Sequence, residues 1–599
     1  MGAGWVYGRA LVSDSQSGGE VMTVERRPRR LEWLRDVQKA YPGSRRGNIE
    51  THGLDSDFAR QTYVATGLES QLLDAVTGRR FRLIILCGNA GDGKTALLQN
   101  LAGRLGLGNT RRQGGPVEYR LADGLRVRFN LDGSAAWEEG SSDLLLDQFL
   151  APFVNGPPSE DIVHLLAIND GRLLSWLGRG REATPLARSL LRRLDGNGTD
   201  DAPHIGLFHL NRRSLVGEFD ATGQLTTGFL DALLDQLYGS ADAATMWQKC
   251  GTCVAQPHCP VFRAATYFGP DNLPGRVAAP KQQHARHQLY RALQAVHQLG
   301  KLHLTIRDLR GTLVYILFGT ASCDAHCKGK PYPPYWDRVF DAQTPDRQGE
   351  LLAALTVFDP AREADARLDR YLLASQRQRR PNLAGARRQA YFELLPETVA
   401  QIGGKTAYLG LARGRHLDLL QQVPLLSDAE RRSVVQRLGR GLSKAELLPP
   451  LAYAKTDSLP FRIHPRTPTD TVFWIETRLD AFAVEAAWLD VGGLGPDRRG
   501  LPHEAFLAHR NARGQTARLR LTADLFHVLL ELERGYQLSA ATLDETFAHL
   551  ALFIEQIIQN HDGDWYAWHP TQEDRVYRLR LTTRDLGHGF HQVLTVVPD

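Results

Sequence analysis

The sequence predicts an α/β fold: a parallel-sheet core, then a Cys-rich insertion, a helical segment and a C-terminal α+β domain. Three observations carry this. Five apolar residues in a row close the stretch Phe81–Cys87, which runs into a glycine-rich turn and then a helical stretch. Strand-like and helical stretches go on alternating over about 130 residues, the pattern of a parallel sheet with crossover helices. After Gly239 that alternation stops, and cysteines followed by long helical runs replace it.

The elements follow in order. Residues 1–30 are rich in Gly, Ser and Arg and carry no period, so they are expected to be flexible. Short helices are expected at Leu31–Val37 and Thr66–Val76. Phe81–Cys87 reads as a strand buried on both faces, because its apolar residues do not alternate with polar ones. A helix follows at Lys94–Leu105. Further strands are expected at Leu125–Leu131, Ile162–Ile168 and Ile205–Leu210, separated by helices at Ser142–Phe153 and Pro185–Leu194. Beyond the Cys-containing loop come helices at His284–Leu299 and Ile306–Phe318. A Pro-rich break at Pro331–Tyr335 opens an Arg-rich helical segment to about Leu448. The last part mixes strands (Thr471–Arg478, Ala483–Val491, Val576–Leu581, Gln592–Val597) with helices (Ala523–Arg534, Leu543–Gln559). The expected division is a flexible or helical N-terminal segment (1–54), a core (55–240), a Cys-cluster and lid region (241–330), a helical domain (331–450) and a C-terminal α+β interaction domain (451–599).

Composition bounds the function. With 599 residues, 42% of them apolar and 23% charged, the chain is globular and long enough for several cores. The 72 Lys+Arg against 67 Asp+Glu leave a net charge of only +5, which excludes a histone-like basic coat. No apolar run approaches the ~20 residues of a membrane span, and no signal peptide is read at the start. Six Cys are too sparse for a secreted disulfide scaffold, so a reducing cytoplasm is expected.

Gly88-Asn89-Ala90-Gly91-Asp92-Gly93-Lys94-Thr95 fits the G-x-x-x-x-G-K-[ST] pattern at each fixed position. Glycines let backbone N–H groups turn inward around an anion, and the helix after them adds its positive end. Lys94 is expected to reach the β- and γ-phosphates of ATP and Thr95 to ligand Mg²⁺. Lysine is scarce, only ten of the 72 basic residues, which makes one here the more telling. Such a site also needs an acid after an apolar strand. Two strands offer one: Val127–Asp132 ends in Asp132, and Val163–Asp170 ends in Asn169-Asp170. If Asp132 holds Mg²⁺, Asn169 orients the attacking water; if Asp170 holds it, Asn211 does. The more apolar second strand favours Asp170. Arg212 and Arg213 follow a strand end, where an arginine acting on a neighbouring subunit would sit. Arg307 and Arg310 open a helix beyond the core, where a lid arginine would touch the γ-phosphate.

Cys250, Cys253 and Cys259 share one loop, and Cys323 and Cys327 lie further on. Cys-x-x-Cys brings two thiolates to one tetrahedral ion, so a structural Zn²⁺ is expected, with His258 and His326 as spare donors; an iron–sulfur cluster, which also takes four thiolates, is the alternative. Cys87 sits within the buried strand and reads as core. No nuclease constellation and no Gly-x-Ser-x-Gly elbow is present.

Assembled, these residues resemble bacterial P-loop ATPases of anti-phage defence, in particular the DptF-type ATPase of DNA phosphorothioation-dependent restriction. The resemblance rests on Phe58–Thr66, Leu68-Glu69, Gly88–Thr95, Ala167–Leu173 and Leu210–Leu215. It covers residues 55 to 320 and leaves the C-terminal third unmatched. It implies an AAA+-like ATPase core within a multi-protein restriction assembly. The partners it implies are nuclease or effector subunits, with DNA reached through the complex. A homo-oligomer is expected if Arg212 or Arg213 acts on a neighbouring subunit, and a monomer within a hetero-complex if neither does.

Overall fold

Leu83–Gly88 forms the central strand β1, and all six of its residues are buried. The computed structural model describes residues 31–44, 53–108, 115–136, 140–195, 202–239, 243–271, 273, 275–375, 382–402, 410–445, 447–486, 499–502, 504–537, 545–585 and 590–599. The expectations for residues 1–30 and for the end of the strand at 483–491 lie outside them. β2 (Val117–Arg120), β3 (Arg126–Asn130), β4 (Ile162–Asn169) and β5 (Ile205–His209) complete a sheet of order β2-β3-β4-β1-β5. β3, β4, β1 and β5 run parallel, and β2 lies antiparallel on the outer side of β3. The fold is therefore mixed α/β around a mostly parallel sheet, as expected. β2 escapes the sequence pattern because it is four residues long and alternates with charged side chains at a sheet edge.

Before the sheet come α1 (Glu32–Gln38), α2 (Asp57–Gln61) and α3 (Gly67–Thr77); α4 (Lys94–Arg104) follows β1 directly. α5 (Ser142–Leu150), α6 (Asp170–Leu177) and α7 (Pro185–Leu194) connect the later strands. Successive residues of a strand face opposite sides, and β1 shows it. Ile84 and Leu86 pack with Leu72, Leu97 and Leu101 of α3 and α4. Leu83, Ile85 and Cys87 pack with Phe149, Leu173 and Leu190 of α5 to α7. Each fully buried Leu or Ile contributes roughly 1.5–3 kcal/mol. The sheet is thus sandwiched, and its strand ends are fixed for whatever lies beyond them.

β6 (Glu218–Phe219) and β7 (Leu225–Thr226) form a short ribbon, followed by α8 (Gly228–Leu237), α9 (Ala243–Gly251), α10 (Pro260–Phe268), α11 (Ala279–Gln298), α12 (Ile306–Phe318) and α13 (Cys323–Cys327). α1 packs on α12 rather than on the sheet: Gln38 Nε2 donates to the Gly319 and Ala321 carbonyls at 3.0 Å each. Short helices continue through the 331–450 region, as expected. The C-terminal part holds β8 (Ser458–Ile463), β9 (Val472–Arg478), β10 (Phe482–Ala486), β11 (Arg499–Gly500), β12 (Ala505–Arg510), β13 (Thr516–Arg520), β14 (Trp565–Trp568), β15 (Val576–Asp585) and β16 (Phe590–Pro598). They form a β10-β12-β13 sheet and a β16-β15-β14-β9-β8 sheet, while β11 joins the β6-β7 ribbon. One apolar core runs from Leu31 to Ile557, across residues 330 and 450 without a break. Among the described residues no helix is long and apolar enough to cross a membrane.

One contact within that core makes a stability prediction. Helix Asp428–Lys444 crosses helix Ala523–Glu533 so closely that a Cβ on Gly441 would lie 1.9 Å from the Leu529 carbonyl oxygen. Helix propensity alone favours alanine over glycine by about 1 kcal/mol. Backbone cannot move aside as a side chain can, so Gly441→Ala is expected to lower stability by about 1–3 kcal/mol. Urea unfolding checks this: a midpoint at or above the parent's would contradict the close crossing.

Candidate functional site

Loop Gly88–Thr95 leaves β1 at the point where neighbouring connections diverge to opposite sides of the sheet, the position at which open α/β sheets bind ligands. Gly91 has φ +99°, and a Cβ there would meet Thr305 Oγ1 at 2.9 Å and Arg307 Cβ at 3.0 Å. Only glycine allows the loop to turn this tightly beneath the start of α12. Lys94 is buried, and its ammonium donates to the Gly88 carbonyl (3.0 Å) and the Asn89 carbonyl (2.6 Å). Burial lowers its pKa, opposed by Asp92, Asp170 and Asp132 nearby. Thr95 Oγ1 donates to the Leu131 carbonyl at 3.0 Å, which ties the first turn of α4 to the end of β3 beside Asp132.

Around the loop lies a cavity of about 350 Å³. Lys94, Thr95, Asp132 and Asn169 line its floor, and Arg307 and Arg310 its roof. Its side wall is apolar and comes from two places: Leu54, Ala59 and Val64 around α2, and Phe229 and Leu233 of α8. Tyr63, on the same wall, is held through its hydroxyl by Glu69, which also accepts from the Thr66 N–H at 3.2 Å and from Asn100 of α4. The stretch Phe58–Glu69 is thereby pinned to the helix that follows the loop.

The two candidate acids part company. Asp132 and Asn169 face the cavity, whereas Asp170 is not among its lining residues. Asp170 Oδ2 instead accepts from Asn211 Nδ2 at 2.7 Å and lies 3.2 Å from His209 Nε2, and the Cys87 thiol lies within 4.8 Å of the same carboxylate. Asn211 Oδ1 in turn accepts from the Asn89 N–H at 3.0 Å. Asp170 and Asn211 brace the loop from behind. Asp132 stands in front, where its Oδ1 accepts from the Ser134 N–H at 2.9 Å.

Nor do the arginines divide as the sequence suggests. Arg212 Nη2 donates to the Leu194 carbonyl and Arg213 Nη2 to the Asp92 carbonyl, both at 2.8 Å. Both are therefore engaged within their own chain, and Arg213 steadies the glycine loop. Arg307 stands at the lid: its backbone N–H donates to the Gly91 carbonyl at 3.2 Å, and its side chain is exposed toward the cavity mouth. Arg310 lies deeper, and burial pulls its pKa down to about 10, with the Arg307 charge adding to that. Thr305 and Asp308 cap the helix that carries both, through the Asp308 N–H to Thr305 Oγ1 at 3.1 Å. His303 was not picked out from the sequence. Its Nε2 lies 2.8 Å from Asp92 Oδ1, whose partner oxygen accepts from the Asn89 N–H at 2.6 Å. A charged residue at a variable position of the glycine loop was the one available signal.

No protein-family model matches the chain, and no curated protein or solved structure matches it.

The five later cysteines gather, but incompletely. Cys250 lies in α9, Cys259 precedes α10, and Cys323 and Cys327 are the first and last residues of α13. Cys253 and Cys327 stand 4.0 Å apart, close to the about 3.8 Å that two thiolates keep around a tetrahedral Zn²⁺. Burial pushes the Cys250 thiol up to about 12 and the Cys327 thiol up to about 11, with neighbouring sulfurs adding to both. His326, buried beside them, has no hydrogen bond to either ring nitrogen. Yet among the described residues the sets of three donors that converge within 4.8 Å are Cys87/Asp170/His209 and His416/His527/Glu531, and the Cys loop supplies none. The first set places Cys87, although core, within 4.8 Å of the acid behind the loop.

Proposed function

We propose that the chain is a Mg²⁺-dependent ATPase whose site is the cavity around Gly88–Thr95. The observation that carries this is the convergence of Lys94, Thr95, Asp132, Asn169, Arg307 and Arg310 on one cavity of nucleotide-compatible size. In this reading Lys94 exchanges its two carbonyl partners for β- and γ-phosphate oxygens. Thr95 and Asp132 hold Mg²⁺, and Asn169, at the end of the strand between β3 and β1, orients the attacking water. Arg307 and Arg310 neutralise charge developing on the γ-phosphate, and the apolar wall takes the base. Asp170 and Asn211 keep the loop in shape. Because Arg212 and Arg213 are occupied within the chain, the lid arginines supply the cationic groups in cis and no neighbouring subunit is required.

The resemblance to defence ATPases supports a role in licensing nuclease or effector subunits on DNA. A second reading is a nucleotide-gated scaffold, which binds ATP and scarcely hydrolyses it. It is favoured by the loop being clamped from several sides, by His303, Arg213 and Asn211. Equilibrium ATP binding measured beside phosphate release separates the two: tight binding without release, even with double-stranded DNA present, would favour the scaffold.

We also propose that the thiols around Cys253 and Cys327 hold a structural Zn²⁺, which pins α13 to the loop after α9. Metal analysis of the purified protein is expected to find zinc, with one equivalent lost in a Cys253→Ser, Cys327→Ser double variant. Equal zinc in both proteins would remove the site.

A further inference from the structure

From the geometry we infer a second metal site, far along the chain from the nucleotide cavity: His416, His527 and Glu531 form a two-histidine, one-carboxylate centre for a divalent transition metal of the zinc class. His527 and Glu531 stand four residues apart on helix Ala523–Glu533, so they project from one face of it. His416, on a different segment, immediately precedes helix Leu417–Gln422. One ligand atom from each of the three lies within 4.8 Å of the others. His416 Nε2 is 3.0 Å from Glu531 Oε1, and the two imidazoles are 5.5 Å apart between ring centres.

Two features suit an ion. The Nδ1 atom of His527 is buried and has no hydrogen-bond partner, an arrangement that usually costs free energy unless something else binds the atom. Two nitrogens and a carboxylate are an established zinc donor set. Arg415 and Arg534 also lie near Glu531, at 3.4 and 3.1 Å. About half of each of these side chains is exposed, so both can turn to solvent while the carboxylate binds. An ion here would strap the loop around Arg413–His416 to the C-terminal helix. It is a cross-link between the helical and C-terminal parts of the chain and is independent of the ATPase reading.

The test uses the full chain, stripped with chelator and titrated with Zn²⁺ and separately with Co²⁺. The expected result is one equivalent of Zn²⁺ lost in His527→Gln and again in Glu531→Gln, with both variants folded by circular dichroism. The weak visible Co²⁺ bands of nitrogen–oxygen ligation should disappear with that equivalent, while the stronger visible bands and the near-ultraviolet charge-transfer band of any thiolate-bound Co²⁺ stay, which separates this site from the cysteines. Added Zn²⁺ should also raise the melting temperature of the parent more than that of either variant. Unchanged stoichiometry in both variants, or loss only on removing cysteines, would overturn the site. Should His527→Gln not fold, the near-isosteric Glu531→Gln and the Co²⁺ spectrum of the parent decide alone: weak bands of nitrogen–oxygen ligation support it, and their absence refutes it.

Discussion

Lys94→Ala is expected to lower Mg²⁺·ATP turnover at least about 100-fold, the scale on which removing one preorganised charge partner acts. The ammonium is held within the curve of the glycine loop by two carbonyls, so it meets a phosphate with little reorganisation. Burial pulls its pKa down, but Asp92, Asp170 and Asp132 counter that and favour the charged form. A hundredfold loss corresponds to about 2.7 kcal/mol of transition-state stabilisation. The substitution removes no apolar packing from the sheet, so circular dichroism and unfolding midpoint should change little. Phosphate release equal to that of the parent would mean that any hydrolysis observed arises elsewhere.

Asp132→Asn should have an effect of the same size, and Asp170→Asn a smaller one of a different kind. Asp132 faces the cavity beside Thr95, so under the proposed function its loss should weaken the hold on Mg²⁺ and reduce the maximal rate. Asp170 is bonded to Asn211, which is bonded to the loop, so its loss loosens the loop and should raise the KM for ATP more than it lowers kcat. Steady-state kinetics over a Mg²⁺ series distinguishes the two, because only Asp132→Asn should shift the Mg²⁺ dependence strongly. The reverse ranking would return the metal to Asp170 and the water-orienting role to Asn211.

Much of the core was legible because its strands are buried on both faces and therefore written as apolar runs. Phe81–Cys87 and Ile162–Ile168 fall within one or two residues of β1 and β4. The helix expected at Ile306–Phe318 coincides with α12, whose apolar helical pattern is likewise local. Strands half exposed or short were not: β13 alternates with Thr and Arg, β12 has only four apolar residues before His509 and Arg510, and β14 is four residues long. The choice between Asp132 and Asp170 was beyond the sequence, since apolarity measures how central a strand is, not which way the residue after it turns. β4 is indeed the more central, yet Asp170 already begins α6 and turns behind the loop. The side wall, from Leu54 to Val64 and from α8, depends on contacts across more than 150 residues and carries no local signature.

Equilibrium titration of the full-length protein with ATP, with and without Mg²⁺, tests the central claim most directly. One ATP per chain is the predicted result, strengthened by Mg²⁺, displaced by ADP and lost or greatly weakened in Lys94→Ala. Absence of binding at millimolar ATP, or binding that Lys94→Ala leaves intact, would contradict a nucleotide site in this cavity.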